Sequence, residues 1–346
     1  MLDTLTAPIV QAPMAGGPST PALAAAVAEA GGMGFVAAGY KSAEAMAADV
    51  DAVRALTRGP FGVNVFSPPA APAAPADVQA YVARLEPEAR RAGARLGPPV
   101  HDDDDYGAKL DRLVAQRVPV VSFTFGSPDP AVVRRLHEAG SEVWVTVTDP
   151  AEAEQAAAAG ADALVVQGAE AGGHRGSFAD RDDRADYGLL ALLQLVRGRV
   201  GLPLVATGGI ATGAGVAAAL AAGATAAQVG SAFMLCPEAG TSAPHRDALG
   251  TGRPTGLTRA FSGRMARGIV NRLQAEHSAA APMAYPEIHH VTAPLRAHAR
   301  QAGDGELVNL WAGEAHELAE AVPAAEVVAR LAREARAALE AARARL

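Results

Sequence analysis

Short apolar, β-branched runs alternate along this chain with Ala-rich stretches of helical character. Parallel strands need a long crossover between neighbours, so this alternation specifies a parallel sheet or barrel covered by helices. The strand candidates are Ile9–Ala15, Phe35–Ala38, Phe61–Phe66, Val120–Phe125, Glu142–Thr148, Ala163–Gln167, Pro203–Thr207 and Ala226–Met234. About eight strands is the number that closes a (β/α)8 TIM barrel, an α/β fold. Ala30-Gly31, Ala139-Gly140, Ala159-Gly160 and Ala222-Gly223 each end an Ala-rich stretch just before a strand candidate. A helix needs a left-handed residue at such a C-terminus, and glycine takes that conformation most easily. Helices are expected over 20–30, 42–56, 76–92, 130–139, 150–159, 188–198 and 213–222.

Two regions exceed a minimal barrel. The connection after the third strand is long, with a Pro/Ala-rich stretch over 67–75 and an acidic run from His101 through Asp105. That run is expected to be solvated carboxylate ahead of a helix over Lys109–Val114, whose N-terminal dipole favours negative charge. Beyond Cys236 the strand rhythm stops, and Pro, Gly, His and Arg dominate as far as Trp311. The expected division is a barrel over 1–235, a smaller, mainly helical substrate-side subdomain over 236–323, and a C-terminal helix over 324–346. That last helix carries Val327, Val328, Leu331, Ala335, Ala338, Leu339 and Ala342 on one stripe. It is expected to pack back on the barrel, with an oligomer contact as the other reading.

Charge narrows the partners. The 30 basic and 37 acidic residues give a net charge of −7, which argues against nucleic acid as a partner. The lone Cys236 allows no internal disulfide and fits a reducing cytoplasm. No Lys or Arg precedes Lys41, so no secretory signal with a basic start is expected. The stretch from Pro203 to Pro237 is uncharged, yet it is broken by many glycines and threonines and is not expected to span a membrane.

In a barrel, chemistry collects where strands end and βα loops begin. After the seventh strand stand Gly208 and Gly209, and after the eighth stand Gly230 and Ser231. Glycines let backbone N–H groups approach an anion, so these adjacent loops suit a phosphate cradle with a helix N-terminus behind it. A tight βα turn is the plainer reading of a Gly-Gly pair. His174 follows Gly172-Gly173 on the loop after the sixth strand, where a neutral imidazole can take a proton from a bound ligand or serve as a loop hydrogen-bonding group. His277, His289 and His290 are expected in surface or packing roles. Tyr106 and Tyr285 are pocket candidates, with packing the equal alternative. There is no HExxH, no Cys/His cluster and no G-x-S-x-G elbow, so neither a metal site nor a serine hydrolase is expected.

Several blocks together resemble a known family. IVQAPMAGGPSTPALAAAVAEAGGMGFVAAGY from Ile9, FGVNVF from Phe61, VVSFTFGSP from Val120, QGAEAGGHRGSF from Gln167, LVATGGIATGAGVAAALAAGATAAQVGSAFML from Leu204, FSGRMARGIVN from Phe261 and LWAG from Leu310 look like the nitronate monooxygenases, formerly 2-nitropropane dioxygenases. The resemblance implies an FMN-binding barrel. By that likeness Met14, Gly16, Asn64, Gln167, Gly172, Gly208, Gly209, Gln228, Val229, Gly230 and Ser231 contact FMN, and His174 matches the active-site histidine. It further implies oxidation of a nitronate, or of a nitroalkane such as one yielding propionate 3-nitronate, by O2 to a carbonyl compound and nitrite. His174 would act as base or as hydrogen-bond partner of the nitronate. Two rivals of related fold, enoyl-acyl-carrier-protein reductase II and an NADH:quinone reductase, would instead draw on a nicotinamide. A flavin-binding barrel without turnover is the non-enzymatic alternative.

Overall fold

A computed structural model describes residues 1–69, 71–183 and 185–345. Its first strands are β1 (Ile9–Gln11), β2 (Gly34–Ala37), β3 (Phe61–Phe66), β4 (Val120–Thr124), β5 (Glu142–Val147), β6 (Ala163–Gln167), β7 (Gly173–His174), β8 (Leu204–Thr207) and β9 (Ala226–Val229). All but β7 form one parallel sheet in the order β1-β9-β8-β6-β5-β4-β3-β2. A parallel bridge between Val10 and Met33 joins the two ends, with Gln11 N–H donating to the Met33 carbonyl at 2.8 Å. The sheet thereby closes as the (β/α)8 barrel that the strand rhythm predicts.

The outer layer is α1 (Pro21–Glu29), α2 (Ala43–Leu56), α3 (Pro75–Arg91), α4 (Tyr106–Ala115), α5 (Pro130–Glu138), α6 (Pro150–Ala159), α7 (Leu189–Arg197) and α8 (Gly213–Ala221). Thr20, Asp129 and Asp149 cap α1, α5 and α6 through their side chains, each ahead of a proline in the first turn. A proline there gives up only an N–H that the helix leaves unpaired anyway. The glycines at the marked helix-to-strand corners all take positive φ: Gly31 at 89°, Gly140 at 87°, Gly160 at 98° and Gly223 at 99°.

Strand parity sorts the core and builds the site. Ile9, Val36, Val143, Val145, Leu164, Val166, Leu204 and Ala206 point outward into the layer under the helices. Their neighbours Val10, Phe35, Trp144, Val165, Val205 and Ala226 point inward and fill the barrel. Gly62 is required here, because a Cβ would lie 2.4 Å from the Phe35 ring. Side chains alternate with period two, so the inward set continues at the C-terminal strand ends as Asn64, Thr124, Thr146, Gln167, Thr207 and Gln228. All six line one cavity. Burying polar groups here, where the barrel opens, gives the fold a functional end.

Several expectations need correction. β1 stops at Gln11 rather than Ala15, and β9 at Val229 rather than Met234, because Gly16 at φ 85° and a 3₁₀ turn over Ser231–Phe233 bend the chain across the barrel mouth. After the barrel come α9 (Ala243–Leu249), β10 (Thr255–Thr258), β11 (Ala266–Ile269), α10 (Arg272–His277), α11 (Glu287–Ala302) and α12 (Ala324–Arg343). The β10–β11 hairpin was not expected among these helices, and it pairs with β7 in a small antiparallel sheet. Through α12, Val327, Val328, Leu331 and Ala335 are buried in the same core layer as α8. No helix among the described residues is long and apolar enough to cross a membrane.

The acidic run is solvent-exposed at Asp102, Asp103 and Asp105, as expected, but Asp104 is partly buried and the run is also tied to neighbouring elements. Asp104 accepts from the Tyr40 N–H at 3.0 Å and pairs with the buried Lys109 ammonium at 2.7 Å, while Asp105 accepts from Ala43 N–H. Asp102 pairs with His290, and His101 with Glu287 on α11. The run therefore straps the third connection to α2 and α11. Breaking a buried pair strands its partner's charge, so Asp104→Ala is expected to lower the unfolding free energy by about 3–5 kcal/mol. Urea denaturation checks this, and a loss below ~1 kcal/mol would show that Lys109 finds another counter-charge.

Candidate active site

The barrel mouth holds a cavity of about 460 Å³. Of the residues expected to contact the cofactor, Met14, Gly16, Asn64, Gln167, Gly172, Gly208, Gly209, Gln228, Gly230 and Ser231 all line it, as does His174. Val229 does not. It follows the inward-facing Gln228, so parity turns its side chain into the core, and its carbonyl accepts from Ala12 N–H at 2.8 Å.

The glycine loops divide into two kinds. Gly208 at φ 126° and Gly209 at φ 67° hold conformations that L side chains rarely adopt. Gly230 has φ −109°, and a Cβ there would meet Ala12 Cβ at 3.6 Å and Met14 Sδ at 3.8 Å, ordinary contacts. Packing alone therefore does not demand glycine at 230. After Gly230 the chain enters the 3₁₀ turn that begins at Ser231. The N-terminus of α8 is already taken, because Glu334 of α12 accepts from Gly213 N–H at 3.1 Å. A carboxylate at that helix start would repel a phosphate.

Polar side chains on the wall have separate tasks. Gln167 uses both ends of its amide on the loop that carries His174: Nε2 donates to the His174 carbonyl at 3.0 Å, and Oε1 accepts from Gly176 N–H at 2.8 Å. Arg175, buried beneath, donates to the Gly168 carbonyl at 2.7 Å. Gly172 lets this loop press against the later chain, since a Cβ would stand 2.4 Å from the Ala312 carbonyl carbon. Asn64 Nδ2 donates to Ser122 Oγ at 2.9 Å and Thr124 Oγ1 at 3.0 Å. Ser231 Oγ accepts from Gly313 N–H at 3.0 Å.

His174 sits in β7, opposite Ala266 of β11. Its Nε2 lies 2.8 Å from Ser262 Oγ, which is 3.2 Å from the Arg264 carbonyl oxygen. Phe125, Tyr285 and Trp311 stand edge-on to the ring at centroid distances of 5.6, 5.9 and 5.5 Å. Burial, with the charges of Arg264 and Arg296, pushes its pKa down to about 3. The imidazole is neutral at physiological pH.

Ser262, Arg296, Tyr40 and Trp311 escaped the sequence reading. His289, expected on the surface or in packing, lines the cavity and stacks on Tyr40 at a centroid distance of 3.8 Å. Tyr40 is itself in the left-handed region at φ 66°, a position non-glycine residues seldom hold. Tyr285 backs His174, whereas Tyr106 packs against Phe123 away from the cavity.

Three histidines at this mouth share one electrostatic property. Burial is the first cause that lowers the pKa of His174 to about 3, of His245 to about 4, and of His289 as well. The unfolded chain holds them near ~6.5, so below that pH unfolding takes up protons. Their contribution to stability is complete above pH ~6.5 and declines as pH falls toward the folded values, by up to about 1.4 kcal/mol per pH unit for each histidine. Asp104 and Glu152, raised by burial, oppose this slope. Urea unfolding from pH 7.5 to 5 is expected to show falling stability, with a shallower slope in His174→Asn; equal slopes in the two proteins would contradict the assignment.

The nitronate monooxygenase family model matches residues 1–334. A nitronate monooxygenase of Pseudomonas aeruginosa is 44% identical over 342 residues, which cover 95% of this chain and 96% of that protein. The crystal structure of a nitroalkane oxidase from Streptomyces ansochromogenes superposes with a TM-score of 0.96 at 50% identity, over 99% of each chain. FabK from Thermotoga maritima superposes with a TM-score of 0.78 at 26% identity, over 100% of this chain and 97% of that one. The match runs through barrel, β7–β11 sheet and α11 alike, and on that breadth the chain belongs to the nitronate monooxygenase family.

Proposed function

We propose that this enzyme binds FMN at the barrel mouth and oxidises alkyl nitronates with O2 to carbonyl compounds and nitrite. The observation that carries the reading is His174, a neutral imidazole hydrogen-bonded at one nitrogen and facing a cavity rimmed by glycine loops. The chain's residues suit FMN. Gly230 leaves space that packing does not need, and the Gln228 amide lines the cavity with no hydrogen-bond partner among the described residues. Gly208, Gly209, Gly230 and Ser231 would hold the phosphate, while Met14, Gly16, Asn64, Gly172 and Gln228 would hold the remainder. When bound, FMN supplies the electron transfer between nitronate and O2.

The protein's part is to bind the anion, exclude water and place a proton acceptor. The Arg264 carbonyl can only accept, so Ser262 satisfies both neighbours by donating to it and accepting from His174 Nε2–H. Nδ1 is then the basic nitrogen. A pKa of about 3 makes it a weak base amid protein alone. A nitronate forming beside it is an anion and would offset the positive field of the arginines, raising that pKa as the proton moves. Preformed nitronates need no such step, so they are the better substrates.

Ser262→Ala removes the group that sets the tautomer, and kcat/KM for nitroethane is expected to fall about tenfold with ethylnitronate affected less than threefold. Equal effects on both would remove the tautomer role. Residues 236–323 form the substrate side of the mouth and 324–346 anchor it, in our reading. The buried thiol of Cys236, pushed up to about 12 by burial, suits a reducing cytoplasm.

A further inference from the structure

The cavity has a second wall that the flavin loops and His174 do not use. Arg296 and Arg300, one turn apart on α11, both line it. Arg296 is only 5% exposed, and its partners are all neutral. Nε donates to Thr292 Oγ1 at 3.0 Å, one Nη to Asn309 Oδ1 at 3.2 Å, and the other to the His289 carbonyl at 3.0 Å and His289 Nδ1 at 3.2 Å. Arg300 donates to the same Asn309 oxygen at 3.3 Å. Neither makes an ion pair among the described residues. Among other buried arginines, Arg259 is neutralised by Asp180 at 2.8 Å and Asp182 at 2.7 Å, and Arg264, without an ion pair among the described residues, lies over the Phe125 ring at 4.0 Å.

We propose that Arg296, with Arg300 beside it, is an oxyanion subsite that receives the anionic end of the substrate. Holding a guanidinium out of water without a counter-charge costs several kcal/mol, and an anion entering from the cavity would supply that charge. The geometry is prepared for one. Its four hydrogen bonds use four of the five N–H groups of Arg296, and the last, on the Nη facing Asn309, remains for a ligand. Asn309 holds both guanidiniums through one oxygen. His289 accepts from Arg296 at Nδ1, so its Nε2 carries hydrogen and adds a neutral donor to the same wall. The ligand class is a planar oxyanion, nitronate or carboxylate, which a guanidinium fork matches.

This inference rests on the proposed substrate class, so its test begins with inert anions. FMN-loaded protein is titrated with nitrite and with acetate, followed by flavin absorbance and calorimetry, in the wild type and in Arg296→Met, Arg296→Lys and Arg300→Gln. Arg296→Met is expected to weaken anion binding at least tenfold, and Arg296→Lys and Arg300→Gln about threefold, with FMN affinity unchanged. Should Arg296→Met fail to fold, the other two variants carry the test. Anion affinity equal to wild type in every folded variant would overturn the proposal. So would a loss of FMN affinity with riboflavin affinity intact, because the anion would then be the cofactor phosphate. KM for ethylnitronate and for propionate 3-nitronate separates the sources: a rise for both assigns the nitronate group, and a rise for the second alone assigns the carboxylate. If nitrite is never released yet anion binding still depends on Arg296, the substrate reading fails and the subsite stands.

Discussion

His174→Asn lowers kcat/KM for neutral nitroethane by about 10²–10⁴-fold, the usual worth of a positioned general base. The same variant keeps its flavin and loses less than about tenfold on ethylnitronate, where no C–H bond has to be broken. Asparagine preserves size and a hydrogen-bonding end but cannot accept a proton at neutral pH. The split between substrates is the informative result. His174 is tied to Ser262 at 2.8 Å and enclosed by Phe125, Tyr285 and Trp311, so its loss also removes a ring from the cavity wall. A purely structural role would therefore depress both substrates together, and steady-state kinetics on the pair decides.

Gly230→Asp yields a folded protein that binds FMN at least a hundredfold more weakly, about 2.8 kcal/mol. The backbone at 230 has a negative φ, and the new Cβ meets neighbours only at ordinary distance. What changes is a carboxylate placed where the phosphate is expected, and repulsion in a partly enclosed site is strong. Gly209 would make a poorer probe. Its φ of 67° strains any replacement, and a Cβ would stand 3.1 Å from Glu170 Cβ, so flavin loss there would mix misfolding with lost recognition. Unchanged colour and flavin affinity in Gly230→Asp, read by fluorescence titration, would move the phosphate away from this loop.

Local signals carried the barrel. Period-two burial and glycine at helix ends depend on near neighbours, so Ile9, Phe61 or Gly160 announce their places in the linear text. Parity also separates Gln228 from Val229, which are consecutive in one strand and turn their side chains to opposite faces. Distant partners were not legible. Ser262 meets His174 across 88 residues, and Glu334 reaches Gly213 across 121. Thr212 marks the cap of that helix locally, but nothing near Gly213 announces the carboxylate of Glu334. Asp104 divides in the same way: Lys109 stands five residues away, whereas the Tyr40 N–H becomes its partner only after α4 folds back toward α2. Arg296 and His289 lie on a helix that packs on core through Ile288, Val291, Leu295 and Ala299 and turns an adjoining strip to the cavity, a distinction that periodicity alone does not draw.

The central claim is that this chain passes electrons from a nitronate to O2 through bound FMN. Mixing the FMN-loaded protein aerobically with ethylnitronate, without any nicotinamide, while recording nitrite and oxygen together tests it most directly. The account predicts nitrite release with concurrent oxygen uptake, over many turnovers per flavin. No nitrite from ethylnitronate, together with rapid bleaching of the flavin by NADH or NADPH, would contradict it and assign the barrel to a reductase.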